Sequence, residues 1–223
     1  MSNRSNQGFT LIEIAIVLVI IGLLLGGVLK GQELITGARV RNLISQQDGI
    51  KAAFFGFQDR YRGLPGDYAA AATNIKCQGT CPSGDGNGRI SENNEEILVW
   101  THLTAAGFMN GSYNADSATS TPGDDNTPKN PYSVYIDLQY DGLYGLGGAS
   151  ASKHNLKTGT QVPVEIMAEV DRKIDDGRPY TGSFQFSAYA PTGFTAPDPA
   201  LCVLDGNWDI GAAETNCGGT SLF

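Results

Sequence analysis
The sequence predicts an α+β protein: one long N-terminal helix, membrane-spanning in its first half, packed by its second half on a small loop-rich head with an antiparallel sheet. Three observations predict it. Phe9–Leu29 is a 21-residue, almost wholly apolar run, enough to cross a hydrocarbon core that needs about 20 residues in a helix. No proline interrupts the chain from Phe9 to Leu64, whereas the remainder is rich in glycine and proline. Short alternating stretches beyond residue 130 then read as strands. The chain divides into a leader (1–8), a membrane or core helix (9–30), the amphipathic second half of that helix (31–62) and a globular head (63–223).

The one charge in the apolar run is Glu13. A carboxylate in lipid is costly unless it is paired or near the interface, so it marks a functional site by default. The alternative is a helix-start Glu that favours the macrodipole and snorkels to the headgroups. Gly22/Gly26 and Gly27/Gly31 form two small-xxx-small pairs that let helices approach closely.

Gly8-Phe9-Thr10-Leu11-Ile12-Glu13, following the polar segment MSNRSNQ, resembles the processing signal of type IV pilins and type II secretion pseudopilins. The resemblance implies cleavage after Gly8 by a prepilin peptidase and methylation of the new amino terminus at Phe9. It also implies that Glu13 pairs with the N-terminal amine of a neighbouring subunit, and that the partners are other pilin or pseudopilin subunits, an inner-membrane assembly platform and inner-membrane lipid. The precursor would be a single-pass inner-membrane protein with its head in the periplasm, and the product a periplasmic or cell-surface filament. Many relatives carry a proline near the middle of this helix, where it can unwind on assembly; here Gly26-Gly27 is the expected substitute. A secretory signal peptide competes for the same residues, with Gly26-Gly27 mimicking its cleavage site. Lys30, Arg39 and Arg41 beyond the span also argue weakly for the opposite orientation. The GFTLIE match outweighs both.

Within the second half of the helix, Val40, Ile44, Ile50, Phe54, Phe57 and Tyr61 recur at spacings near three and four, a stripe for docking on the head. Arg62-Gly-Leu-Pro-Gly-Asp67 ends the helix, and Tyr61-x-x-Leu-Pro-Gly-Asp67 resembles the helix exit of many pseudopilin-like proteins. Ser91 is the expected N-cap of a second helix, with Glu92, Glu95 and Glu96 in its first turns. Ile97, Trp100, Leu103 and Thr104 share one face, His102 lies at its edge, and Gly107 closes it. Residues 110–131 read as an exposed loop, Ser133–Tyr140 and Gly182–Tyr189 as strands, and 142–152 as a glycine-rich turn. Val164–Ile174 alternates ambiguously, but Pro163 before it and Asp175-Asp176-Gly177 after it favour helix.

From Asp67 onward eight Lys/Arg face nineteen Asp/Glu, a net of −11. So acidic a head disfavours nucleic acid, which needs basic patches against phosphate, and suits a divalent cation. In Ser83-Gly-Asp-Gly-Asn-Gly-Arg-Ile-Ser91, Asp85 and Asn87 fall at ligand positions 3 and 5 of a calcium loop, with Gly88 at the turn. Position 1 is Ser83, position 12 is Asn94, and Glu95 comes one residue late. The tentative calcium ligands are Asp85, Asn87, Arg89, Ser91 and Glu95; the alternative is a plain Asx-rich turn and no cofactor. Four cysteines in an exported domain read as disulfides. Of the three connectivities that can be drawn, the local pairs Cys77–Cys81 and Cys202–Cys217 are expected; the second closes a sixteen-residue loop, worth roughly 3 kcal/mol.

Two histidines, no Gly-x-Ser-x-Gly elbow, no His-Glu-x-x-His and no P-loop leave no nucleophile with a base, so an enzyme is not expected. The expected function is a structural subunit of a type IV pilus-like filament. Thr127-Pro-Lys-Asn-Pro-Tyr132 faintly resembles a head segment of type II secretion pseudopilins, which keeps that system as the alternative. A membrane-anchored adhesin or calcium-binding protein is the reading from another class.

Overall fold
The computed structural model describes residues 10–91, 94–116, 118–119, 121–145 and 150–223. The chain forms two units, one running to Arg39 and the other from Val40 to Phe223. One helix, α1 (Leu11–Tyr61, 51 residues), runs through both. Nothing in its sequence breaks it, and its first turn is capped by Thr10 and Glu13. It stops where Arg62 takes a left-handed conformation (φ 55°) and Pro65 cannot continue the ladder. Gly66 then turns at φ +89°, where an added Cβ would lie 2.5 Å from the Glu95 carbonyl oxygen. Only glycine lets the chain pass so close to the next helix.

In the second unit, the stripe of α1 is buried at Val40, Leu43, Gln47, Ile50, Ala53, Phe54 and Phe57. Of the expected stripe, Ile44 and Tyr61 are only partly buried and pack at the edges. The unit continues through α2 (Ala71–Asn74), α3 (Glu95–Ala105), β1 (Asp137–Asp141), β2 (Lys153–Lys157), α4 (Val164–Ile174), β3 (Phe184–Phe186), α5 (Pro199–Cys202), β4 (Val203–Leu204), β5 (Asn207–Trp208) and β6 (Gly219–Leu222). The main sheet is antiparallel in the order β1-β2-β6-β3, and β4-β5 is a separate hairpin. The fold is α+β, as the sequence predicts.

Two hydrophobic clusters hold the head to α1. Val40 and Leu43 meet α4 (Val164, Met167, Val170), Phe184, Phe186, Trp208 and the cystine formed by Cys202 and Cys217. Ile50, Phe54 and Phe57 meet Trp100 and Leu103 of α3 together with Ile136, Leu138 and Leu156. The disulfides pair locally, Cys77–Cys81 and Cys202–Cys217. Amphipathic spacing makes α4 a helix over the expected residues, with Pro163 preceding its first turn.

Three local expectations are corrected. The strand expected from Ser133 begins at Asp137; Tyr135 makes only an isolated bridge to Lys129. Helix α3 starts at Glu95 with Asn94 at φ 73° as its N-cap, not at Ser91. The Glu95 carboxylate reaches back to the Ser91 N–H and hydroxyl (2.9 and 2.7 Å), which keeps that segment a loop; Glu92 lies outside the described residues. His102 is fully buried rather than at an edge. Its Nδ1 accepts from the Gly66 N–H (2.9 Å), its Nε2 lies 2.7 Å from the Pro82 carbonyl, and its ring stacks on Phe57.

On α1, between the residues that enter the first cluster and those that enter the second, Gln47 is fully buried, and neither atom of its amide finds a partner among the described residues. An unpaired buried amide costs about 1–3 kcal/mol. Gln47→Met should therefore raise stability by about 1–2 kcal/mol in urea unfolding; a loss would show that the amide is satisfied in solution.

Buried Asp171 accepts from the Trp208 indole N–H at 2.7 Å and from the Gly177 N–H at 3.2 Å. Burial, with the Asp176 and Asp175 charges adding to it, pushes its carboxyl up from 3.8 to about 6 against those two hydrogen bonds. The fold thus favours the protonated acid, and this group's stabilisation, full below its unfolded pKa, is lost as pH rises through about 6. Trp208 fluorescence should titrate with a midpoint near that value in the wild type. Asp171→Asn should abolish the transition; its persistence would assign it to another group.

Candidate functional site
The start of α1 is built by its own sequence. The Glu13 carboxylate accepts from both the N–H and the hydroxyl of Thr10 (2.8 and 2.7 Å), and the Glu13 N–H donates to the Thr10 hydroxyl (3.3 Å). This reciprocal pair is a capping box, Thr-x-x-Glu, which satisfies two otherwise orphaned donors of the first turn. All three bonds are solvent-exposed and the carboxylate uses only Oε2. Among the described residues Oε1 is left to accept from something else. Gly8 and Phe9, the expected cleavage and methylation positions, lie outside the described residues.

Beyond this cap the apolar side chains of the first unit are exposed among the described residues. From Leu11 to Leu29, every large aliphatic side chain of the first unit is at least 45% exposed. The helix is long and apolar enough to cross a membrane, and such a surface does not remain in water. At Gly22, Gly26, Gly27 and Gly31 an added Cβ would meet no atom of the described residues within 4 Å, so no contact among them requires glycine there. Glycine costs about 1 kcal/mol in a helix relative to alanine. Four such positions in one exposed helix suit close approach by something outside the chain.

The second candidate site lies in the head, where the Leu64–Gly66 turn and the 83–91 loop meet the start of α3. The structure brings together two of the expected cation ligands, Asp85 and Glu95, and adds Asp67, which sequence spacing did not reveal. One carboxylate oxygen from each lies within 4.8 Å of the others. Asp67 accepts from the N–H groups of Asn87 and Gly88 (both 2.9 Å), and Glu95 from those of Asp85 (3.0 Å) and Ser91 (2.9 Å). Burial, the bond to Asp85 and the Glu95 charge push the Asp67 carboxyl up, opposed by the Gly88 and Asn87 N–H groups.

The other expected ligands turn elsewhere. Asn87 donates its amide to Asp85 (2.8 Å), and its Oδ1 accepts from the Arg89 N–H (2.8 Å). The Arg89 guanidinium sits over the Tyr140 ring at 5.2 Å, and the Ser91 hydroxyl donates to Glu95. Three carboxylates in reach of one point are a donor set that suits a hard, oxygen-liganded divalent cation such as calcium. Loop backbone donors already occupy part of that set.

Residues 3–29 match the model of the prokaryotic N-terminal methylation motif, the prepilin-type signal of type IV pilins and pseudopilins. The match spans the cap, Glu13 and the exposed apolar helix. No curated protein and no solved structure matches this chain. The motif implies processing by prepilin peptidase and assembly with other pilin subunits, and with the apolar helix it implies membrane anchoring.

Proposed function
We propose that this chain is a structural subunit of a type IV pilus-like filament, a pilin or minor pilin. In this reading prepilin peptidase cuts after Gly8 and the new terminus is methylated at Phe9. The helix anchors the precursor in the inner membrane with its head in the periplasm, and the processed subunits assemble by packing Phe9–Leu29 helices. The observation that carries the reading is the methylation motif over residues 3–29, joined to a helix whose large aliphatic side chains from Leu11 to Leu29 are exposed among the described residues. Glu13 has the means to act in assembly: its local bonds are exposed and involve one oxygen, so a neighbour's N-terminal amine can pair with the carboxylate as the membrane's low dielectric strengthens the attraction. Gly26-Gly27 is where the helix gives way on assembly. The same chemistry serves a pseudopilin of a type II secretion system, the alternative to which the Thr127–Tyr132 resemblance points.

The decisive measurement is N-terminal peptide mass analysis of the protein from native membranes. It should find a chain beginning at N-methylated Phe9. A chain retaining residues 1–8, or cut near Gly27, would reduce the motif to an anchor or signal peptide. Glu13→Ala should be processed and membrane-inserted yet fail to enter filaments; normal assembly would favour a tethered surface protein.

A cation-dependent head is the second reading, favoured by the Asp67–Asp85–Glu95 cluster. Calcium would be held by these three carboxylates, and its charge would oppose the burial that, with the Asp85 bond and the Glu95 charge, raises the Asp67 pKa. It should lift the melting temperature of the wild type more than that of Asp85→Asn, and the gain should shrink as pH falls and Asp67 protonates. Equal shifts in both proteins would place the ion elsewhere.

A further inference from the structure
Lys157 is the one buried lysine among the described residues, with no exposed surface. It stands on β2 opposite Asp137 of β1. Its Nζ donates to Asp141 Oδ2 at 2.5 Å, to Gln139 Oε1 at 2.8 Å and to Asp137 Oδ2 at 3.0 Å. The Tyr189 ring lies 4.8 Å from Nζ. An amine, two carboxyls and a primary amide are thus held at contact distance, with Lys157, Asp137 and Gln139 buried. As an ion cluster it is unfavourable, because one ammonium between two carboxylates leaves a net buried charge, which desolvation penalises.

The geometry points to an intramolecular amide bond between Lys157 Nζ and the Asp141 side chain, formed with Asp137 as the neighbouring acid. The chemistry balances without any co-reactant. One proton passes from the ammonium to the Asp141 carboxylate, giving a neutral amine beside a carboxylic acid. The Nζ lone pair then attacks Cγ of Asp141, the Nζ–Cγ bond forms, one Cγ–O bond breaks, and the oxygen leaves as water with two protons. Asp137, hydrogen-bonded to the same Nζ, takes a proton from the attacking nitrogen and returns it to the departing oxygen.

Burial pushes the Asp137 carboxyl up against the pull of the Lys157 ammonium, so it can carry that proton. Burial also opposes the charge on Lys157, but Asp137 and Asp141 hold it protonated. The ion pair is therefore the resting state and the neutral pair is the reactive one. Holding the reacting groups in contact removes the entropic cost that makes amide formation slow between free molecules. A cavity of about 240 Å³, lined by Asp137, Gln139 and Tyr189 among others, opens onto the cluster and gives the departing water an exit.

Tryptic mass spectrometry of the reduced full-length protein tests this directly. The expected product is residues 130–153 joined through Asp141 to 154–172, uncut after Lys157 and lighter than the two peptides by one water. Separate peptides with cleavage after Lys157 would overturn it. A linked pair lighter by one ammonia, with the bond at Gln139, would overturn the choice of Asp141. Asp137→Ala should leave the link unformed with Asp141 and Lys157 both present. The wild-type measurement decides the matter even where that variant fails to fold.

Discussion
The head depends on one constraint: α1 must stay an unbroken helix past residue 40 so that a single face carries two hydrophobic clusters in register. Residues at three- and four-residue spacing fall on one side only while the 3.6-residue period is kept. Val40 and Leu43 reach the α4 cluster, and Ile50, Phe54 and Phe57 reach the α3 cluster. A break between them would rotate one set away from its partners. The absence of proline over this stretch is therefore as informative as the apolar residues. Gln47 sits on α1 between the two sets as a polar cost that the packing on either side offsets.

The parts of the fold legible in sequence are those whose pattern is local. α1, α4 and the Phe184–Phe186 strand follow from periodicity and from their flanking glycines and prolines. The local cystines follow from spacing in the chain. β2 was not legible, because Lys153-His-Asn-Leu-Lys157 has four polar residues in five and no apolar alternation. It is a strand because its polar groups have partners across the sheet: Asn155 with Thr220 and Asp141, and Lys157 with Asp137 and Asp141. The alternation over Val134–Gln139 signals a strand but not what its second face meets. Asp137 and Gln139 lie on the face opposite Ile136 and Leu138, yet they too are buried.

The candidate sites divide along the same line. GFTLIE is contiguous, so the motif and the placing of Glu13 near a helix start can be read directly, whereas its reciprocal bonds with Thr10 come from the structure. The head cluster cannot, because Asp67 reaches Asp85 and Glu95 only through a turn that glycine alone permits at residue 66. Nor could His102 be placed from its helix position. Its burial follows from the Gly66 N–H, the Pro82 carbonyl and the Phe57 ring, contributed by three separate segments.

The sheet order β1-β2-β6-β3 has a consequence for how the head is made. β6 comes after every other strand in the chain but lies between β2 and β3, so the sheet has a gap there until residues 219–222 are available. Growth of the sheet cannot keep pace with synthesis; it waits for the segment beyond Cys217. Non-local pairing of this kind is slow to form, and meanwhile the strand edges of β2 and β3 are open to other chains. A chain that emerges helix first would thus carry an unfinished sheet until its last residues, just beyond Cys217, are in place.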